Sequence, residues 1–137
     1  MKARVRNNPA EKVLCFAIAE EVKPGLSKAL QELSIEEVQI PSDALDQSVG
    51  YLAGFPGFEE RKGGVGTAPA SQSVICMCGI SHARMNLLLR SLKEQEINIP
   101  LKAIVTPTNQ TWSFAKLIAE LAREHKALEG RRKKESV

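Results

Sequence analysis

The sequence has few of the residues that mark metal centres, disulfide frameworks and nucleic-acid surfaces. Its 137 residues include 3 cysteines, 2 histidines, 1 tryptophan and 1 tyrosine. An odd cysteine count without a secretory leader predicts reduced thiols in a cytoplasmic protein. No apolar run approaches the roughly 18–20 residues of a membrane helix, so we expect a chain that does not cross a bilayer. The hydrophobic fraction of 43% is typical of a globular domain and excludes a wholly disordered chain.

The net charge of +3 is concentrated at the two ends of the chain. Basic residues cluster in the ranges 1–11 and 129–137, which we predict to be tails on either side of a single globular domain, 12–128. The domain itself is mildly acidic and lacks the stripe of basic and aromatic side chains typical of a nucleic-acid-binding face. Weak binding of nucleic acid through the tails is therefore only an alternative function.

One pattern occurs twice along the chain. A continuous apolar strand, an amphipathic helix and a second strand ended by proline occupy residues 12–41, and the same order returns over residues 73–107. Between the two, residues 42–53 suit a short helix. The glycine- and proline-rich residues 54–70 predict a flexible connection, because glycine at that density opposes regular structure.

A last helix follows the second pattern. Apolar residues at three- and four-residue spacing predict this helix, which would begin at a cap on Asn109 or Thr111. It would end near Leu128, with Gly130 as its C-cap.

Two such units joined by a long link predict an α+β fold of the ferredoxin-like type, a split βαβ repeat with an added C-terminal helix. A doubly wound α/β sheet is the alternative. In both cases the two continuous apolar strands are central and apolar on both faces, whereas the helices of the two units cover only one face. The last helix, the middle segment or a second copy of the chain must cover the other face. The last possibility makes a homodimer an expected assembly.

The three cysteines all lie in the two apolar strands. Cys76 and Cys78 are two residues apart and point to one face of their strand, and Cys15 could join them from the neighbouring strand. Zinc knuckles and redox pairs need other spacings at turns or helix starts, and these spacings are absent from the sequence. We therefore predict buried, unreactive thiols and no metal site.

Polar residues near the strand ends are candidates for binding a small anion or carboxylate. They combine hydroxyl, imidazole, ammonium, amide and indole groups close to two helix starts, where free N–H groups favour anions. The candidates are Ser81, His82, Lys102, Thr106, Asn109 and Trp112. Helix capping and protection of an edge strand explain most of the same residues without a ligand. The peptide bond before Pro107 is open to either isomer.

Three segments resemble a bacterial family known as domain of unknown function 3783. They are residues 50–54 (Gly-Tyr-Leu-Ala-Gly), residues 100–112 (Pro-Leu-Lys-Ala-Ile-Val-Thr-Pro-Thr-Asn-Gln-Thr-Trp) and the pairs Glu120-Leu121 and Glu124-His125. The resemblance extends over most of residues 12–128. It implies a small, soluble bacterial protein and brings no activity, cofactor or catalytic residue with it.

The function that fits these observations best is non-enzymatic. No nucleophile, acid and base stand at a recognisable spacing and no cofactor motif is complete, so we expect a binding or regulatory module for a partner protein or a small ligand. The alternative is a small enzyme in which His82 acts with Lys102, Thr106 and Asn109. That hypothesis requires these four side chains to meet in one pocket.

Overall fold

The computed structural model describes residues 11–61 and 73–135, with side chains as far as residue 128. The strands are Lys12–Phe16 (β1), Glu36–Gln39 (β2), Val74–Cys78 (β3) and Leu101–Ile104 (β4). The helices are Lys23–Glu32 (α1), Val49–Leu52 (α2), His82–Glu94 (α3) and Phe114–Glu135 (α4). Short 3₁₀ turns, Ser42–Ala44 and Asn109–Thr111, precede α2 and α4. None of the helices in these ranges has the length and apolarity needed to cross a membrane.

The four strands form one mixed sheet in the order β2-β1-β3-β4. Each unit pairs its own two strands in parallel, β1 with β2 and β3 with β4, and the units meet where β1 and β3 pair antiparallel. An α+β fold with apolar central strands is therefore confirmed. The ferredoxin-like layout is not confirmed, because a split βαβ unit would have another strand between its own two. The antiparallel centre also differs from a doubly wound parallel sheet.

Both faces of the sheet are covered from within the chain. Side chains of alternating strand residues pack on one face against α1 and α3, in a core that includes Val13, Cys15 and Ile75. The opposite face packs against α2, α4 and the segment before α2, in a core that includes Leu14 and Phe114. The last helix and the middle segment thus cover the second face of the sheet together. The described residues therefore cover the sheet face that motivated the predicted homodimer, and the assembly state stays a prediction.

The two units correspond in the details of their turns. A residue with left-handed backbone follows each central strand, namely Ala17 with φ 58° and Gly79 with φ 71°. A second left-handed residue follows each long helix, namely Ser34 with φ 58° and Glu96 with φ 59°. Non-glycine residues rarely adopt this conformation, so its occurrence at matching places points to a shared design of the two units.

The first part of the predicted flexible connection is held against the domain. The buried side chain of Gln47 clamps the backbone of Arg61: its Nε2 donates to the Arg61 carbonyl and its Oε1 accepts from the Arg61 N–H, both at 2.8 Å. The Arg61 guanidinium in turn donates to the carbonyl of Thr111 at 2.8 Å. The Phe58 ring packs against Gly50, where a Cβ atom would lie only 2.6 Å from it. Residues 58 and 61 therefore contact the domain, residues 62–70 lie outside the described ranges, and the flexibility of the connection stays a prediction.

The last helix begins and ends later than predicted. Ser113 caps it, because its Oγ accepts the N–H of Lys116 at 3.1 Å, whereas Asn109 is engaged in the preceding turn. The helix continues through Gly130 to Glu135, so the prediction of Gly130 as a C-cap is wrong. The basic residues after this glycine are good helix formers and carry the helix past it. The predicted tail 129–137 is therefore helical as far as Glu135, and the predicted tail 1–11 lies outside the described residues except for Glu11.

Candidate functional site

An open pocket of about 380 Å³ lies between α3 and the start of edge strand β4. Its size is within the range of small-molecule sites, roughly 300–1,000 Å³. The walls come from the last turns of α3, the α3–β4 turn and β4. The lining residues are Leu89, Leu92, Lys93, Glu96, Ile97, Asn98, Ile99 and Lys102. The lining thus combines four aliphatic side chains with two ammonium groups, one carboxylate and one amide, which gives it a net positive charge.

Lys102 is the strand residue of this pocket. Alternation along β4 buries Leu101 and Ala103 on the α4 side, so Lys102 projects on the α3 side, opposite Ile75 of β3. Its Nζ donates to the carbonyl of Ile99 at 2.7 Å. An ammonium group has three N–H donors, so this single contact leaves two for a ligand.

The residues of the first unit that correspond to Lys102 and Leu89 form a hydrogen bond with each other. Lys102 and Glu37 are the second residues of β4 and β2, and Leu89 and Ser27 each follow the first buried leucine of their helix. In the first unit the Ser27 hydroxyl donates to Glu37 Oε1 at 2.6 Å, which joins α1 to β2. The equivalent pair, Leu89 and Lys102, makes no such bond and lines the pocket instead. The second unit therefore differs from the first at these two positions, which line the pocket and are not joined by a hydrogen bond.

The carboxyl ends of β3 and β4 lie at the same edge of the sheet and carry four of the six predicted residues. Ser81 caps α3, with its Oγ 3.3 Å from the N–H of Arg84, and His82 is exposed in the first turn. Thr106 and Asn109 bond to each other: Asn109 Oδ1 accepts the Thr106 N–H at 2.8 Å, and Thr106 Oγ1 accepts the Asn109 N–H at 3.0 Å.

Three of these four residues, Ser81, Thr106 and Asn109, bond within turns, and none of the four lines the pocket between α3 and β4. Asn109 also donates its amide Nδ2 to the carbonyl of Ile104 at 3.1 Å, so both ends of its side chain are engaged. Its bonds close the chain reversal between β4 and α4. No cis peptide occurs in the described residues, and the bond before Pro107 is therefore trans.

Trp112 anchors the start of α4. Its side chain is half-buried against the core on the α4 face, and the ammonium of Lys116 lies 4.7 Å from the ring centroid. That distance is a cation–π contact. Its backbone carbonyl accepts the N–H of Val49 at 2.9 Å. The tryptophan thus joins the two units and does not face the pocket.

The three cysteines are buried, as predicted, but on opposite faces of the sheet. Cys76 and Cys78 pack on the α4 side, whereas Cys15 packs on the α1/α3 side, so the expectation that it joins them is wrong. In the antiparallel pair Cys15 lies opposite Ile75, and facing residues share one side of a sheet. Burial raises the pKa of Cys15 to about 12. A hydrogen bond with Cys78 and burial raise the pKa of Cys76 well above its ordinary value.

The structure separates Lys102 from the other three residues of the enzyme hypothesis, which all lie at the carboxyl ends of β3 and β4. Lys102 reaches back toward Ile99, before β4, whereas Thr106 and Asn109 follow the end of that strand and His82 begins α3. No group of three or more potential metal ligands occurs among the described residues. Sequence reasoning identified Lys102 and missed the α3–β4 turn, residues 96–99, that completes its pocket. The alternating Ile97-Asn98-Ile99 before Pro100 was the available signal.

Among known proteins, the chain is similar to one family. No curated protein and no solved structure matches the chain. The range 73–128 includes β3, α3, β4 and most of α4, together with every residue of the pocket. The most specific motif of the predicted resemblance, residues 100–112, falls inside this range, whereas residues 50–54 fall outside it. Residues 73–128 match the family model described as Domain of unknown function (DUF3783), which confirms the resemblance over the second unit of the chain.

Proposed function

We propose that this protein is a non-enzymatic binding module for a small ligand with an apolar body and an anionic head. The observation that carries the proposal is the pocket between α3 and β4, where four aliphatic side chains and the exposed Lys102 line one cavity. A ligand of this kind would place its apolar body on the leucines and isoleucines and its head on the ammonium group.

The charge of the lining supports an anion rather than a cation. Lys93 and Lys102 contribute two positive charges against the single carboxylate of Glu96. Hydrogen bonds in which a partner is ionised contribute about 1.5–3 kcal/mol, more than neutral ones. A carboxylate head would therefore gain more from Lys102 than an alcohol would.

A set of three probe molecules separates the two parts of this binding mode. Octanoate carries both parts, octan-1-ol keeps the apolar chain without the charge, and acetate keeps the charge without the chain. Titration of each into ¹⁵N-labelled protein, followed by amide chemical shifts, measures the affinity and shows the location. We expect octanoate to bind most tightly and to shift the amides of residues 96–99 and 102.

Substitution of the lysine tests its role. Lys102→Met keeps most of the side-chain length, and we expect it to weaken octanoate about tenfold, which is about 1.4 kcal/mol, while octan-1-ol is unaffected. Lys28→Met, on the exposed surface of α1, is the matched control and should leave both affinities unchanged. Shifts confined to another surface, or equal octanoate affinity in the Lys102→Met variant, would contradict the proposal.

A further inference from the structure

The order of elements is the same in the two halves of the described chain. Each half has a strand, a long helix, a parallel strand, a 3₁₀ turn and a serine-capped helix. The caps agree in detail: Ser48 Oγ accepts the N–H of Tyr51, and Ser113 Oγ accepts the N–H of Lys116, both at 3.1 Å. Only the second half, residues 73–128, matches the family model.

Equivalent residues of the two halves face each other at the centre of the sheet, as a two-fold axis between the halves would require. Leu14 is the middle residue of the five in β1, and Cys76 is the middle residue of the five in β3. These two equivalent residues lie directly opposite each other in the antiparallel pair. Equivalent residues face each other only where a two-fold axis passes between them.

A second contact between equivalent residues lies in the layer that covers the sheet, and it marks an independent point on the same axis. The equivalent caps Ser48 and Ser113 form an isolated antiparallel bridge. The bonds beside it are reciprocal: Val49 N–H donates to the Trp112 carbonyl, and Phe114 N–H donates to the Gln47 carbonyl, both at 2.9 Å. These residues are far in sequence from the central strands, so the pairing of β1 with β3 does not by itself produce the contact.

The surface at which the two units pair, here called the joint, would be exposed in a single unit. Every residue of β3 is buried, and its inner edge is paired with β1. Alone, the unit would present a two-stranded sheet with an open apolar edge, an arrangement that is marginal in water and prone to pair with another strand. The family model nevertheless matches only one unit of this chain, and a second unit with the same surface would cover that edge.

We infer that residues 11–61 are a second, diverged copy of the unit that contains residues 73–128. The surface that joins the two, along β1 and β3 and across Ser48 and Ser113, is a self-association surface of that unit. Its partner is another copy of the unit, which this protein supplies from within its own chain.

A chimeric chain tests whether the copies are interchangeable. Residues 12–53 are replaced by a second copy of residues 74–118, so that β3 pairs with its own duplicate and the native connection is kept. We expect a soluble protein with one cooperative urea transition, dispersed NMR signals and the far-ultraviolet circular dichroism of the natural chain. Light scattering gives its mass; a folded monomer or a folded dimer supports the inference, because the same surface pairs within or between chains.

The chimera places Cys76 opposite its own duplicate, where the natural chain has Leu14 opposite Cys76. A second chimera therefore carries Cys76→Leu in the inserted copy only, which restores the natural central pair. The control chimera carries Cys76→Asp at the same place and should not fold, because an unpaired charge would be buried in the joint. If the first two chimeras both lack a cooperative transition, the halves are not copies with a shared joint and the inference is overturned.

Discussion

Truncation of one buried side chain on α4 tests whether this helix holds the fold together. Leu117 lies on the face of α4 toward the sheet and is 2% exposed, packed in the same core as Leu14 and Cys76. Leu117→Ala removes buried aliphatic volume and leaves a cavity, since neighbouring groups relax only in part. Substitutions of this kind lower the free energy of unfolding by about 2–5 kcal/mol. That is a large share of the roughly 5–15 kcal/mol by which a folded domain is stable.

Leu128 provides a matched control on the same helix, because it is 51% exposed. Leu128→Ala should change the free energy of unfolding by no more than about 0.5 kcal/mol. Urea unfolding followed by circular dichroism measures both variants. At a slope of about 1.5–2 kcal/mol per molar urea, Leu117→Ala should lower the midpoint by roughly 1–3 M. Equal midpoints for the two variants would show that α4 does not cover the sheet. In that case, light scattering should reveal a second chain in its place.

Three further predictions concern the thiols, an ion pair and the docked segment. The pKa of Cys15 is about 9 when unfolded and about 12 when folded, so between these pH values stability should fall as pH rises, by about 1.4 kcal/mol per pH unit. Urea unfolding at pH 8 and pH 10.5 should show a smaller loss of unfolding free energy for Cys15→Ala than for the natural chain, and equal losses would refute this. Rapid labelling of the folded thiols by Ellman's reagent would also refute it. Arg84 binds Glu11 through two bonds, of 2.6 and 2.7 Å, and also contacts the Leu33 carbonyl. Arg84→Met should therefore lower the free energy of unfolding by about 1 kcal/mol at low salt. An unchanged thermal unfolding midpoint would contradict this prediction. Gln47→Ala should speed tryptic cleavage after Arg61 severalfold without unfolding the domain, and unchanged cleavage would show that the Gln47 clamp does not protect this segment.

Local pattern was enough to predict the elements. Continuous apolar runs identified β1 and β3 as central, and alternation identified β2 and β4 as edges, because side-chain period reports directly which faces are buried. Helical spacing identified the faces of α1 and α3, and the position of the cysteines among aliphatic residues predicted their burial. The repeated order of elements was also visible, although few residues are identical between the halves.

The order of strands depended on tertiary structure. The pattern of an apolar strand is the same whether its neighbour is β2 or β3, so the sequence did not distinguish a split unit from two parallel pairs meeting at β1 and β3. The register that places Leu14 opposite Cys76 also separates Cys15 from the other thiols.

The candidate site depended on tertiary structure for the same reason. Lys102 was a candidate from the start, but its pocket exists because the α3–β4 turn, residues 96–99, closes beside it. Thr106 and Asn109 offered equally suitable chemistry, and their groups are used within one turn. Sequence thus determined which segments are buried and which groups are available. Only the packing of distant segments decided which groups line a cavity, because contacts between distant residues leave no periodic signal in the chain.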